Sequence, residues 1–400
     1  MKVSKTIICS MVWILLAVAS CSTSSNSDPA LEARIERVVS GLHVRPSVES
    51  VAAEKWTLEQ RMARYGVPAV SIAVIHDGRI QWARAYGRAV AGESQTVSDQ
   101  TLFQAASISK ALTAFAVLRV TDQGLLALDS PVNRYLRSWR LPESDDGPSD
   151  SVTVARLLAH MAGLNVPGFP GYTPGAAVPT LTQILDGASP ANTPAIRIVR
   201  PPGSTWAYSG GGYLVLQQVL QDVSSQDFPR LMNNLVLTPL GMQHSTFQQP
   251  LPPELEALAA VGHNDDGKIL PGRWHVYPEL AAAGLWTTAS ELARFALAVQ
   301  SAATQSPQSL LSAQSAVALT RPRFGSFSLG LLVRRNSEHA WFTHNGGNEG
   351  YRALMYAYLT TPQGAVVMTN SDAGMALASE IINAIALEYD WPGFIPEELQ

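Results

Sequence analysis

Ser107 and Lys110 stand three residues apart in the segment Ala106-Ser107-Ile108-Ser109-Lys110-Ala111-Leu112. If that segment is helical, positions i and i+3 share a face, so the amine can approach the hydroxyl. A helix N-terminus adds a positive field that favours an alkoxide or an oxyanion there. The serine then becomes a candidate nucleophile. Free lysine has a pKa of about 10.4, so Lys110 can take the proton near neutral pH only if it is desolvated or set beside other cations. A solvent-facing Lys110 would be useless as a base. Taken alone, Ser-x-x-Lys is a weak signal and reads as an N-cap serine followed by a surface lysine on an ordinary helix. The pair gains meaning from residues elsewhere in the chain.

The elements that must position this pair follow from periodicity. Ile108, Ala111, Leu112, Phe115 and Leu118 keep the i, i+3, i+4, i+7 rule, which predicts a helix opening at Ser107. Residues 69–75 are a β-branched run, followed by Asp77-Gly78, a pair that tolerates the positive φ angles of a tight turn, and then by 80–86, which together give a hairpin signal. Helical spacing is present over 30–65, with an amphipathic segment at 56–65 before Gly66. From about 107 to 300 the pattern is mostly helical. The proline- and glycine-rich stretch 167–202 is expected to hold no regular element and either to roof a cleft or to serve as a solvated connector. Strands are predicted again at 328–334, 340–343, 351–359 and 365–370, before a closing helix at 375–389. The fold class is therefore α/β (α+β): an antiparallel sheet built from both ends of the chain and flanked by helices, plus a mostly helical lobe. One catalytic unit is expected over 51–390, with an α/β lobe at 51–105 and 285–390 and a helical lobe at 106–284.

Composition narrows the function classes. The 400 residues are 46 % hydrophobic and 15 % charged, which excludes disorder as the main state. The formal net charge is −4 and no basic block occurs, which argues against nucleic acid as a partner. His263 and His275 lack companions at metal spacing, and neither His-Glu-x-x-His nor paired cysteines occur, so no metal and no cofactor is expected. The absence of a Gly-x-Ser-x-Gly elbow argues against an α/β-hydrolase. Lys2 and Lys5 precede an apolar run over 7–19, which reads as a secretory signal at 1–20. Cys9 lies inside that signal, leaving Cys21 alone and no internal disulfide. Val18-Ala19-Ser20-Cys21 resembles the bacterial lipobox, in which the cysteine is lipidated; the competing reading is ordinary cleavage after Ala17-Val18-Ala19. Residues 21–50 form the tether and N-terminal segment. Both readings make the protein extracytoplasmic, and the lipid reading makes it a cell-envelope lipoprotein held to a membrane by that anchor only.

Two further constellations carry a family resemblance. One is Pro201-Pro202-Gly203-Ser204-Thr205-Trp206-Ala207-Tyr208-Ser209-Gly210-Gly211-Gly212-Tyr213; the other is Phe342-Thr343-His344-Asn345-Gly346-Gly347-Asn348-Glu349-Gly350-Tyr351. With Ser107-x-x-Lys110 they resemble, in order, the Ser-x-x-Lys, Tyr-x-Asn and Lys-Thr-Gly or His-x-Gly elements of the serine β-lactamase and penicillin-binding-protein superfamily. The branch is the one related to class C β-lactamases, with family VIII esterases and D-amino-acid peptidases. Leu128-Asp129-Ser130-Pro131-Val132, residues 157–164 and Ala282-Ala283-Gly284-Leu285-Trp286-Thr287-Thr288 support the match, which runs from about 55 to 385.

The resemblance implies Ser107 as the acylated nucleophile, Lys110 as the proton acceptor and Tyr208 as the phenol that passes the proton to the leaving group. A phenol with a free pKa of about 10 needs a nearby ammonium to act as base, so Lys110 and Tyr208 would titrate together; which one deprotonates Ser107 stays open. The N–H groups of Ser107 and Gly347 match the family's oxyanion hole, with Gly346 and Gly347 permitting close approach. Two departures weaken a β-lactam reading: Gly210 replaces the amide of Tyr-x-Asn, and His344 replaces lysine. A protonated His344 is the expected anchor for an anionic substrate, fading as pH rises through its site pKa. His160 is expected to be structural. Trp206, Trp274, Tyr277 and Trp286 are candidates either for a cleft lining or for core packing. The implied activity is that of an exported serine hydrolase on a small ester, amide or cell-wall-like substrate, with an esterase favoured. The alternatives are a β-lactamase or D-alanyl carboxypeptidase, and a non-catalytic envelope binding protein with the same fold. Oligomeric state is left open.

Overall fold

Asp77 and Gly78 both take positive φ angles, 51° and 70°, and turn the chain between two antiparallel strands, β1 (Ala69–His76) and β2 (Arg79–Gly87). These are the first strands of a six-stranded antiparallel sheet in the computed structural model, which describes residues 28–43 and 55–394. The signal at 1–20, residues 21–27 with Cys21, and residues 44–54 lie outside the described residues. The other strands come from the far end of the chain: β3 (Leu332–Arg335), β4 (Ala340–Asn348), β5 (Tyr351–Tyr358) and β6 (Gly364–Thr369). In space the order is β2-β1-β6-β5-β4-β3, so β1 pairs with β6 and the two ends of the chain close one sheet.

β1 is buried along nearly its whole length because both faces are covered. Ala69, Ala73 and Ile75 face one apolar cluster, and Val70, Ile72 and Val74 the other, as a two-residue period requires. Each buried Val or Ile contributes roughly 1.5–3 kcal/mol by leaving water. One face carries helices α1 (Pro29–Val39), α2 (Leu58–Tyr65) and, from the far end of the chain, Gly374–Glu388. Thr57 and Gln60 form a capping box at the start of α2, and Gly66 closes it in the left-handed region. Arg61 holds α2 to the closing helix through a buried ion pair with Glu380 at 2.5 Å.

The opposite face meets the helical part. There α3 (Ser109–Asp122) is buried on all sides over its first ten residues, so the expected amphipathic stripe is absent and the helix is a core element. The prediction that 167–202 holds no regular element is corrected: α4 (Leu181–Asp186) forms inside it. A capping box of Thr180 with Gln183 starts α4 and Gly187 at φ 63° stops it, which is enough signal for six residues. The strand predicted from 328 starts at Leu332, because the Ser328 N–H and hydroxyl both donate to the Leu331 carbonyl and make a turn.

Candidate active site

From Thr101 to Leu118 every residue is buried except Ser107, which is half-buried. Ala106, immediately before it, takes φ 49°, a conformation that a residue bearing a Cβ rarely adopts. This bend starts a single 3-10 turn, Ala106–Ile108, that lifts Ser107 out of the core and leads directly into α3. Lys110 lies one turn on, 2 % exposed, with Nζ donating to Ser107 Oγ at 3.1 Å and to the Ala282 carbonyl at 2.7 Å. The spacing expectation is met, and the lysine is interior. Among the described residues no carboxylate pairs with Lys110. Its remaining neighbours are aromatic faces: Nζ lies 5.1 Å from the Tyr208 ring centroid and 5.8 Å from that of Tyr213.

Tyr208 reaches the seam from the entry to α5 (Gly210–Ser224). Ser209 caps that helix: its Oγ accepts from Gly212 N–H at 3.0 Å and donates to the Asn165 carbonyl at 2.7 Å. His160, at φ 58°, lies against Tyr208 with ring centroids 4.3 Å apart and planes tilted by 35°, and accepts the Ser209 N–H on Nδ1 at 3.1 Å. Trp206 adds a further ring at 6.4 Å from Tyr208 and packs on Phe327. The other three aromatics singled out in the sequence, Trp274, Tyr277 and Trp286, are core residues.

β4 brings His344, Gly346 and Gly347 to the same seam. A Cβ at Gly346 would fall 2.2 Å from the Ala105 carbonyl oxygen, so only glycine lets the strand lie against the turn that carries Ser107. At Gly347 the nearest atom to a Cβ would be 3.5 Å away, and this residue is exposed. Asn348 fastens the strand: its amide donates to Gln104 at 2.6 Å and to the Ala283 carbonyl at 3.1 Å, next to the carbonyl that holds Lys110.

The electrostatics of His344 differ from the sequence expectation. Burial, and then the neighbouring Lys110, lower its pKa to about 4. Its Nδ1–H donates to the Asn345 carbonyl at 2.7 Å, which leaves Nε2 as an acceptor. At neutral pH the imidazole is uncharged, so the cationic anchor is not available there. His160 is likewise held well below the ordinary histidine range by burial, Lys110 and His344. Burial pushes the Tyr213 phenol well up; its hydroxyl donates to the Leu158 carbonyl at 3.0 Å. Lys110 thus sits among uncharged dipoles and rings.

His263 spends Nδ1 on the Asn370 carbonyl and accepts the Ala91 N–H on Nε2, and His275 contacts the Pro170 carbonyl. Among the described residues no cluster of His, Cys, Asp or Glu has the makings of a metal site. Sequence reasoning missed three features here: the Ala282 carbonyl, the His160 ring contact with Tyr208, and Glu279. Both carboxylate oxygens of Glu279 are buried without a hydrogen-bond partner, three residues before Ala282. A lone glutamate ahead of Leu280 carried no sequence signal.

A family model described as Beta-lactamase matches residues 56–389. Among curated relatives, Esterase EstB of Burkholderia gladioli is 34 % identical over 216 residues, covering 52 % of this chain and 52 % of the relative. The chain spans about half the length of the curated relatives it matches. Two solved structures share the fold. The octameric penicillin-binding protein homologue from Pyrococcus abyssi has a TM-score of 0.67 at 22 % identity over 85 % of this chain and 77 % of its own. The D-amino acid amidase from Ochrobactrum anthropi SV3 has a TM-score of 0.67 at 18 % identity over 90 % and 99 %. With the Ser-x-x-Lys turn, the phenol and the glycine strand meeting at one seam, and a model matched along most of its length, the chain belongs to the Beta-lactamase family.

Proposed function

We propose that the protein is a serine hydrolase that acylates Ser107 with an ester and releases the acid with water. The carrying observation is the 3.1 Å contact between Lys110 Nζ and the half-buried Ser107 Oγ, inside a setting with no carboxylate partner. Ser107 Oγ attacks the substrate carbonyl as its proton passes to the Lys110–Tyr208 pair. The tetrahedral oxygen lies against the backbone N–H groups of Ser107 and Gly347, which act where charge develops. The pair returns the proton to the departing alcohol as the C–O bond breaks. Water then attacks the acyl-enzyme by the same route in reverse and restores Ser107. Esters are favoured over β-lactams and D-alanyl peptides because position 210 has no side chain to hold an acylamide and His344 is uncharged. Similarity to a protein named Esterase EstB agrees with this choice.

Intact mass after a fluorophosphonate, with Ser107→Ala as control, tests the nucleophile. Loss of one adduct in the variant is expected, and an unlabelled, well-folded wild type overturns the reading in favour of a binding protein. Rates on a short-chain nitrophenyl ester and on a chromogenic cephalosporin separate esterase from β-lactamase. We also propose export and lipidation at Cys21. Metabolic labelling with a tagged fatty acid should be lost in Cys21→Ala; retained label would refute the anchor.

A further inference from the structure

The stretch 163–171 is built onto the start of α5. The Ser209 hydroxyl donates to the Asn165 carbonyl, the Gly211 N–H to the Val166 carbonyl at 3.0 Å, and the Gly210 N–H to the Pro167 carbonyl at 3.2 Å. Asn165 is fixed in turn through its side chain, which bonds the Ala195 carbonyl and the Arg197 N–H. These bonds set the Phe169 ring against Gly210: a Cβ at 210 would fall 2.6 Å from Phe169 Cε2 and 3.2 Å from the Pro167 oxygen. A side chain at 210 and the ring at 169 cannot share that space. Gly210 lies two residues after Tyr208, and Phe169 is half-buried.

We propose that Phe169 is a specificity-determining residue: its ring fills the space of a side chain at 210 and gives the acyl subsite an apolar wall, selecting unsubstituted aliphatic acyl groups over those bearing an amide. The inference rests on the hydrolase reading above. A polar side chain at 210 would offer hydrogen bonds to an acyl amide, whereas an aromatic face offers only apolar contact, which grows with each methylene of the acyl chain.

The test compares wild type, Phe169→Ala, Phe169→Leu, Gly210→Asn and the double variant Phe169→Ala/Gly210→Asn. With nitrophenyl acetate, butyrate and hexanoate, Phe169→Ala should lower the hexanoate-to-acetate ratio of kcat/KM about tenfold, and Phe169→Leu should keep most of it. Gly210→Asn alone should lower the melting temperature by roughly five degrees or more, and the double variant should recover it while acylating with benzylpenicillin about tenfold faster than wild type. An unchanged chain-length ratio in an active Phe169→Ala enzyme overturns the specificity role, and strictly additive melting shifts overturn the shared space. A wild type that neither hydrolyses esters nor labels at Ser107 removes the hydrolase reading and this role with it, while the melting cycle still reports whether the ring occupies the slot.

Discussion

Replacing Glu279 by glutamine should stabilise the protein by an amount that grows with pH. The residue is fully buried, neither carboxylate oxygen has a partner, and burial pushes its pKa from the reference 4.5 to about 8. Nearby Tyr172 and Tyr277 are phenols raised by burial, and among the described residues no cation contributes to the Glu279 shift. The folded state therefore holds a proton that the unfolded chain releases between about pH 4.5 and 8, and stability falls as pH rises through that window. At roughly 1.4 kcal/mol per pKa unit, the cost is ~1 kcal/mol at pH 5, ~3 kcal/mol at pH 7 and up to ~5 kcal/mol above pH 8. Glutamine has the same shape and does not titrate, and every other ionisable group is common to the two proteins. With an unfolding entropy near 2.1 cal/mol/K per residue over 400 residues, 1 kcal/mol corresponds to roughly 1.2 degrees, so the gap in melting temperature should widen from ~1 degree at pH 5 to ~6 degrees at pH 9. Calorimetric melts of both proteins at pH 5, 7 and 9 measure it. A gap independent of pH, or a wild type more stable than Glu279→Gln at pH 9, would refute the reasoning.

Lys110→Met keeps an unbranched chain in a buried slot while removing the amine; kcat/KM on a nitrophenyl ester should fall about 10²–10⁴-fold with the fold intact by circular dichroism. Retention of a tenth of the activity would remove Lys110 from the proton path. Gly346→Ala should fail to fold or melt many degrees lower because its Cβ meets the Ala105 carbonyl, whereas Gly347→Ala should melt as wild type does; equal melting of the two variants would contradict the close approach. With His344 neutral above about pH 4, the KM for a carboxylate-bearing ester should show no His344 titration between pH 5.5 and 8. A KM that rises through pH 6–7 in wild type but not in His344→Gln would restore the cationic anchor.

What the chain discloses locally, it discloses well. Asp77-Gly78 after the β-branched run 69–75, and the amphipathic segment 56–65 before Gly66, depend on neighbours in sequence, and the hairpin and α2 stand where those signals place them. Ser107 and Lys110 share a face for the same reason, as an i, i+3 pair. Features set by distant packing were not legible. The i, i+3, i+4, i+7 positions name one face of α3, yet Ala114, Ala116, Val117 and Val120 are buried on the others, which makes Lys110 an interior amine. The charge state of His344 is a burial effect with a contribution from Lys110, invisible in a list of residue types. Gly210 reads as a missing amide in the sequence; in space it is the clearance for Phe169.

The same burial that neutralises these groups sets two opposing pH slopes. A histidine whose folded pKa lies below the unfolded 6.5 contributes stability above pH 6.5, and that stability is lost as pH falls toward the folded value. His344 loses ~3 kcal/mol in this way between about pH 6.5 and 4, and His160 acts in the same direction. Glu279 works oppositely, losing stability from about pH 4.5 upward. The two slopes cross in mildly acid solution, so wild type should be most stable near pH 5–6.5, and Glu279→Gln should move that maximum upward while leaving stability below about pH 4.5 unchanged. Melts that coincide in the two proteins below about pH 4.5 and diverge progressively above it would tie the effect to these buried groups. Parallel shifts of both limbs would assign it to general packing instead.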